Sequence, residues 1–237
     1  MLGLGNSITG GAALDEFTPA NIANLALWLK NGTGVTAAQW DDSSGNGRHA
    51  TQGTGGNQAT VSGGGLDFEK DNTDHYDLDP KITISDEHNF IVGFVITPEN
   101  PGTDTTDRMC ILGDDNNEFV DIRSDKIAVN CSGTEVLFTG DAALFSNGTK
   151  AAVVISRNDG ATGTHNFFVN GSTPAGSYND QTVNKGFEFD ELGVRNGTGR
   201  PFDGIIHELV VYDLGTGTHT AAELTALNNY FTSKFGI

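Results

Sequence analysis

Apolar and polar residues alternate with a period of two in short runs along most of this chain. The pattern switches to a helical period only once, at the end. The alternating runs predict strands at Leu25–Leu29, Gly65–Glu69, His75–Asp79, Asn89–Thr97, Met109–Gly113, Glu118–Arg123, Lys126–Cys131, Thr134–Phe138, Ala151–Arg157, His165–Asn170, Phe187–Val194 and Ile205–Tyr212. In Phe187-Glu188-Phe189-Asp190 one face is apolar, whereas Ala152-Val153-Val154-Ile155 is apolar on both. Between runs stand Asn-Gly, Asp-Gly or Gly-rich pieces, as at 114–117, Asn147-Gly148, Asp159-Gly160, Asn170-Gly171 and Asn196-Gly197. After residue 219 the spacing changes. Thr220 and Glu223 form a capping box, Leu224, Leu227, Phe231 and Phe235 make one stripe, and Glu223, Asn228 and Lys234 are expected on the wet side. The pattern predicts an all-β, antiparallel sandwich of about a dozen strands closed by one C-terminal amphipathic helix, with no repeat of fixed period.

Composition narrows the function classes. The 237 residues suffice for one large β domain, and the 32 glycines are spread rather than concentrated in a linker. A net charge of −18 argues against nucleic acid and against anionic membranes, both of which need a basic surface. No apolar run is long enough to span a bilayer. The N-terminus, MLGLGNSITGG, has neither a basic n-region nor an apolar h-region, which predicts synthesis in the cytoplasm without a signal peptide. Cys110 and Cys131 fall on strands separated by a third, so free buried thiols are expected. Of the five Asn-Xaa-Ser/Thr sites, beginning at Asn31, Asn130, Asn147, Asn170 and Asn196, four are Asn-Gly and read as turns.

Residues 1–17 read as an arm. Leu2, Leu4, Ile8, Leu14 and Phe17 alternate with glycines and small polar residues and have no face long enough to fold alone. Thr18-Pro19 then marks a short helical turn that opens the domain, residues 18–237. An arm of this kind reads either as a segment that docks on a partner chain or as a floppy leader.

Three segments carry a family resemblance. Leu25-Ala26-Leu27-Trp28-Leu29 leads to Trp40-Asp41-Asp42-Ser43-Ser44-Gly45-Asn46-Gly47-Arg48-His49; the Ala152–Arg157 run is followed by Phe167-Phe168-Val169-Asn170-Gly171; and Gly204–Tyr212 precedes the final helix with its Lys234-Phe235-Gly236-Ile237. Together they resemble the concanavalin A-like (laminin-G-like) jelly-roll superfamily, in particular the branch found in phage virion proteins and bacterial surface proteins. The resemblance implies two curved antiparallel sheets with a face that in relatives can bind sugars. It implies no reaction, because the fold serves lectins, hydrolases, adhesion modules and capsid proteins alike.

Candidate chemistry is sparse. Sugar hydrolases of this superfamily carry three acids at alternate strand positions; here Glu188 and Asp190 share a face, Leu192 takes the third place, and Glu191 is expected on the other side. Asp67 and Glu69 make another pair without a third acid, and the six histidines lack metal-ligand spacing. For a metal, Asp42, Ser44 and Asn46 followed by Gly47 match the first half of a Ca²⁺ loop, but position twelve is Gly53. Where calcium-binding relatives tend to have a carboxylate, this chain has His207 beside Glu208. The competing reading is a tight turn capped by Asp42, and the acidic turn 114–118 has a weaker claim. Trp28 and Trp40 read as core, whereas Tyr76 and Tyr178 are freer to act as sugar platforms.

The sequence therefore points to a protein without catalytic residues and without a required cofactor, structural Ca²⁺ at Asp42, Ser44 and Asn46 being the one metal considered. Its expected setting is the virion surface, as a capsid decoration or head fibre. Expected partners are other virion proteins bound through the arm, in an oligomeric array, and host surface glycans. A tail or baseplate appendage, a free carbohydrate-binding module and a polysaccharide hydrolase are the alternatives.

Overall fold

The computed structural model describes residues 16–237. Leu2, Leu4, Ile8 and Leu14 lie outside the described residues. Sixteen strands follow one another: β1 Leu25–Leu29, β2 Gln39–Trp40, β3 His49–Thr51, β4 Thr60–Ser62, β5 Gly65–Phe68, β6 Tyr76–Ile84, β7 Asn89–Pro98, β8 Met109–Gly113, β9 Phe119–Arg123, β10 Lys126–Cys131, β11 Thr134–Gly140, β12 Ala151–Arg157, β13 His165–Val169, β14 Gly176–Tyr178, β15 Phe187–Leu192 and β16 Gly204–Gly215. The helix α1, Ala221–Phe235, ends the chain. Seven strands form one sheet in the order β13-β12-β7-β16-β5-β4, with β1 also paired to β16; nine form the other, β14-β11-β10-β9-β8-β15-β6-β3-β2. The sixteen are the expected twelve plus β2, β3, β4 and β14, each two or three residues long and so too short to show a period. β6 also runs on past Pro80, which falls where the β6–β15 register slips and no ladder bond is needed from it.

The two sheets differ in what covers them, and this explains the two kinds of strand pattern. The core between the sheets takes Phe90, Val92, Phe94 and Ile96 from β7, Val153 and Ile155 from β12, and Leu209 and Val211 from β16. The opposite face of the same strands, with Ile91, Val95, Val154, Val210 and Tyr212, is covered by Leu224, Leu227 and Phe231 of α1. Strands buried on both faces are apolar over most of their length, with exceptions such as Arg157 of β12 and Glu208 of β16. In the nine-stranded sheet Val120, Ile122, Ile127 and Val129 enter the core while Phe119, Asp121 and Arg123 point the other way, with no helix among the described residues laid over them. The nine-stranded sheet is the one whose outer face carries no helix among the described residues; we call it the open face, although Phe119, Asp121 and Arg123 on it are themselves buried.

The helix is built as its sequence indicates. Thr220 Oγ1 accepts from Glu223 N–H (3.1 Å), Glu223 Oε2 accepts from Thr220 N–H (2.7 Å), and Gly236 closes it at φ 69°. One residue expected in water, Asn228, is not there, and Lys234, exposed as expected, turns its ammonium inward. Asn228 is buried with its amide on Leu224 O (2.9 Å), and the Lys234 ammonium reaches inward to Glu208 (2.5 Å). Gly93 makes the close approach of α1 possible, because a Cβ there would lie 2.8 Å from the Phe231 ring and 3.0 Å from Val210. Gly93→Ala is expected to lower stability by about 1–3 kcal/mol by overpacking, measured by chemical denaturation.

The opening and closing segments of the chain form one assembly. β1 pairs with β16, and Asp42 Oδ1 accepts from Trp28 N–H (3.0 Å). The Trp28 indole donates to Glu208 on β16 (2.8 Å), and Tyr230 of α1 donates to the same oxygen (2.7 Å). The expected turn at the start of the domain is a 3₁₀ turn, Pro19–Asn21, and Pro19 O accepts from the buried Tyr212 hydroxyl (2.8 Å). Phe17 belongs to this packing too, edge-on to Tyr230 with ring centroids 6.3 Å apart. Asn170-Gly171 and Asn196-Gly197 both adopt positive φ at two successive residues, the conformation for which Asn-Gly is favoured. Cys110 and Cys131 are buried and free, one on the outer and one on the inner face of the nine-stranded sheet.

Candidate functional site

On the open face of the nine-stranded sheet, outward positions of β8, β9 and β10 bring Cys110, Phe119 and Ala128 together as a small apolar floor. The segment after β15 folds over it. Cys110 N–H donates to Arg200 O (2.8 Å) and Asn196 N–H to Asp114 O (2.8 Å). Gly113 leaves the space this requires, since a Cβ there would meet Val194 O at 2.5 Å. The result is a stack of guanidiniums: Arg195 and Arg200 each lie 4.6 Å from the Phe119 ring centroid and Arg108 5.9 Å. Arg123, two residues along β9 from Asp121, is buried on the same face. Four of the chain's six arginines are thus gathered here in a protein of net charge −18.

Two carboxylates sit among them. Asp121 is almost fully buried, bonded to Arg200 Nη1 (2.5 Å) and 3.5 Å from Arg108 Nη1. Burial outweighs the pull of Arg108 and Arg200 and pushes its carboxyl up to about 6. Glu135 of β11 takes the fork of Arg108, at 2.5 and 3.0 Å. Burial, then repulsion from Arg108, pulls the Arg123 guanidinium down, and Arg195 is lowered by burial and then by Arg200. A recess of about 430 Å³ opens beside the stack, with Arg108, Arg200, Lys70, Asn100, Thr105 and Thr106 among its walls.

Further along the same face the acids of β15 are arranged differently from expectation. The register slips between Phe189 and Glu191, so Leu192 joins Phe187 and Phe189 in the core and Glu191 follows Asp190 outward. Period-two reasoning fails at this slip. Glu191 Oε1 accepts from Gly197 N–H (2.6 Å), its Oε2 is buried without a partner among the described residues, and burial pushes it up to about 7. Glu188 moves the opposite way, held below its ordinary value by a hydrogen bond from Lys81. Both Glu188 oxygens are engaged, one by Lys81 and one by Thr83 (3.1 Å). Asp114 and Glu118 of the acidic turn come within 4.8 Å of Glu188, with the Lys81 ammonium 3.8 Å from Asp114 as the positive charge between them.

The loop considered for calcium comes together as a knot of hydrogen bonds. Asp42 Oδ1 accepts from Trp28 N–H and Ser44 N–H (2.8 Å), and Oδ2 from Ser44 Oγ (2.8 Å) and Arg48 N–H (3.1 Å). Asn46 turns its amide nitrogen to Leu25 O (2.8 Å) and Ala26 O (3.1 Å). His207 instead meets Thr97 (2.8 Å), and burial pushes its ring down to about 4. A carboxylate with every acceptor site filled has none left for a cation, so adding chelator is expected to leave Tm unchanged. A fall in Tm would assign calcium to Asp42, Ser44 and Asn46.

Of the two tyrosines offered as sugar platforms, Tyr76 is not accessible and Tyr178 is half-buried. Tyr76 is fully buried with its hydroxyl on Ala37 O (2.7 Å), and Tyr178 packs on Phe138 and Phe167. Trp40 is core, and Trp28 lies under α1. No aromatic ring among the described residues is exposed. Missing from the sequence reading altogether was the arginine stack, although Phe119-Val120-Asp121-Ile122-Arg123 holds its signal: an aromatic, an acid and a base sharing the polar face of one strand.

Comparison with known proteins places the fold. No family model and no curated protein matches the chain in sequence. Solved structures do match. The binding domain of botulinum neurotoxin serotype G superposes with a TM-score of 0.57 at 17% identity, over 89% of this chain and 52% of that one. Domain 4 of AbnA, an extracellular GH43 arabinanase from Geobacillus stearothermophilus solved in complex with arabinotriose, gives 0.57 at 18%, over 86% and 98%. A sialidase of Trypanosoma rangeli gives 0.60 at 14%, over 91% and 33%. The chain thus spans about half of the neurotoxin domain, a third of the sialidase and nearly all of the arabinanase domain. At these identities the likeness is one of fold, and the class it defines is the antiparallel jelly-roll β-sandwich.

Proposed function

We propose that this chain is a non-catalytic, lectin-like domain that recognises glycans on the open face of its nine-stranded sheet. The observation that carries this reading is the asymmetry of the two sheets. One is sealed by α1, and the other offers a polar face with a built cluster of guanidiniums beside a recess. The arabinanase domain with its arabinotriose and the neurotoxin binding domain support it as relatives in fold whose names concern binding. Hydrolysis is disfavoured because Glu188, the acid best placed to act, has both oxygens occupied by Lys81 and Thr83. Within this reading the domain sits on a phage particle, as a capsid decoration or head fibre, and residues 1–17 tie it to capsid or tail proteins. The chain enters the domain beside a groove walled by Phe17, Trp28, Lys30, Tyr230 and Lys234.

A glycan array tests the binding function, and silence across the array would remove it. Deleting residues 1–17 tests the anchoring: particle association should be lost while glycan binding persists. Particles that load the truncated protein as well as the full chain would refute the arm's role.

A further inference from the structure

Four arginines on one sheet face are costly in themselves, because like charges crowd there and two carboxylates balance only part of them. Much of their donor capacity is also unused. Arg108 spends its fork on Glu135, but Arg200 has one side-chain bond, to Asp121, and Arg195 has one, to Asn116 O (2.9 Å). Arg123 is 4% exposed, its Nε is buried, and it makes no side-chain hydrogen bond among the described residues. A guanidinium stacked on a ring keeps its N–H edge free for an in-plane acceptor, the geometry that suits a carboxylate. Arg200 also holds a left-handed backbone, φ 53°, between Gly199 and Pro201, a conformation that costs a non-glycine residue about 1 kcal/mol or more and clusters at binding sites.

The recess beside this stack has the right furniture for a sugar acid. Arg200 and Lys70 supply positive charge, Lys70 shared with Asp203 at 3.5 Å; Asn100, Thr105 and Thr106 supply amide and hydroxyl groups suited to ring hydroxyls, and Asp71 is an acid in the same wall. Asp107 also borders it, but its carboxylate is turned back onto Asp104 N–H (3.1 Å). Its volume of about 430 Å³ lies within the usual range for a small-ligand site, roughly 300–1,000 Å³. We propose that this recess binds an acidic saccharide, its carboxylate held by Arg200 and Lys70 and its hydroxyls by Asn100, Thr105 and Thr106. The inference rests on the glycan-binding reading and names the class of glycan.

Calorimetric titration at low ionic strength with trigalacturonate and with neutral arabinotriose separates the two. The acidic trimer should bind at least about tenfold more tightly, since its carboxylate adds charge-assisted bonds that the neutral sugar lacks. Arg200→Lys, which keeps the charge but loses the fork, should weaken it about tenfold. Lys70→Gln, at a half-exposed side chain that also pairs with the buried Asp203 (3.5 Å), should weaken it about threefold, with denaturation showing that the variant is folded. Lys185→Gln, at a distant exposed lysine, should leave it unchanged. Equal affinity for the two trimers, or full affinity in Arg200→Lys and Lys70→Gln, would overturn the proposal. Binding of arabinotriose alone would overturn it while leaving glycan recognition intact; no saccharide bound here or on the array would remove both. If sodium sulfate binds as tightly as the trimer and displaces it, the recess is an anion site only and the saccharide assignment fails.

Discussion

Lys234→Met is expected to lower stability by about 3 kcal/mol, because it leaves a buried carboxylate without its counter-charge. Glu208 is fully inaccessible, and its oxygens accept from Trp28, Tyr230 and Lys234. Lys234 is the one cation hydrogen-bonded to it among the described residues. Methionine keeps the length and the apolar stem of the side chain and removes the ammonium that sits 5.1 Å from the Tyr230 ring and 5.5 Å from the Phe235 ring, so the loss isolates the charge. In a domain of this size Tm should fall by roughly 6–12 °C. The double variant Lys234→Met, Glu208→Gln should recover part of the loss, since no buried charge then remains. That recovery, measured as a double-mutant cycle by chemical denaturation, distinguishes a charge effect from a packing effect. Lys234→Met within about 1 kcal/mol of wild type would show that the β16–α1 network does not hold the closing helix.

Arg108→Met should cost about 3 kcal/mol at pH 7.5, and much of that cost should vanish at pH 5. Arg108 bridges Glu135 and the buried Asp121; without it the two acids face each other with Arg200 as the nearest remaining partner. Asp121 has its carboxyl pushed up to about 6 by burial, so its native-state proton is held more tightly than in the unfolded chain. The sign follows from linkage. Between the ordinary aspartate value and about 6, the native state binds more protons, and this group favours folding as pH falls. Removing Arg108 raises the carboxyl further, so protonation relieves the variant more than the wild type. A destabilisation equal at pH 7.5 and pH 5 would contradict this account of Asp121.

The fold was legible because burial leaves a period in the sequence. Strands sealed on both faces are apolar over most of their length, as in Ala152–Ile155, and those of the open sheet alternate, as in Val120–Ile122 between Phe119, Asp121 and Arg123. The helix announced itself by its capping box and its apolar stripe. The site was harder, because its parts come from separate segments: Arg108 from β7–β8, Asp121 and Arg123 from β9, Arg195 and Arg200 from beyond β15. Each alone is an ordinary outward polar residue, and only sheet order brings them to one ring. The register slip between β15 and β6 was likewise invisible in Phe187–Leu192, where Glu191 and Leu192 exchange faces. The Asp42 loop was legible as a shape and ambiguous as chemistry, since a capped turn and a cation site use the same oxygens.

The open face of the nine-stranded sheet is the centre of the functional reading, and amide chemical-shift mapping tests it most directly. With trigalacturonate titrated into the full chain, shifts should concentrate in β8, β9, residues 99–108 and residues 193–201, around Phe119 and the recess. Shifts confined to α1 and the seven-stranded sheet, or none with this trimer and none with any array glycan, would contradict it.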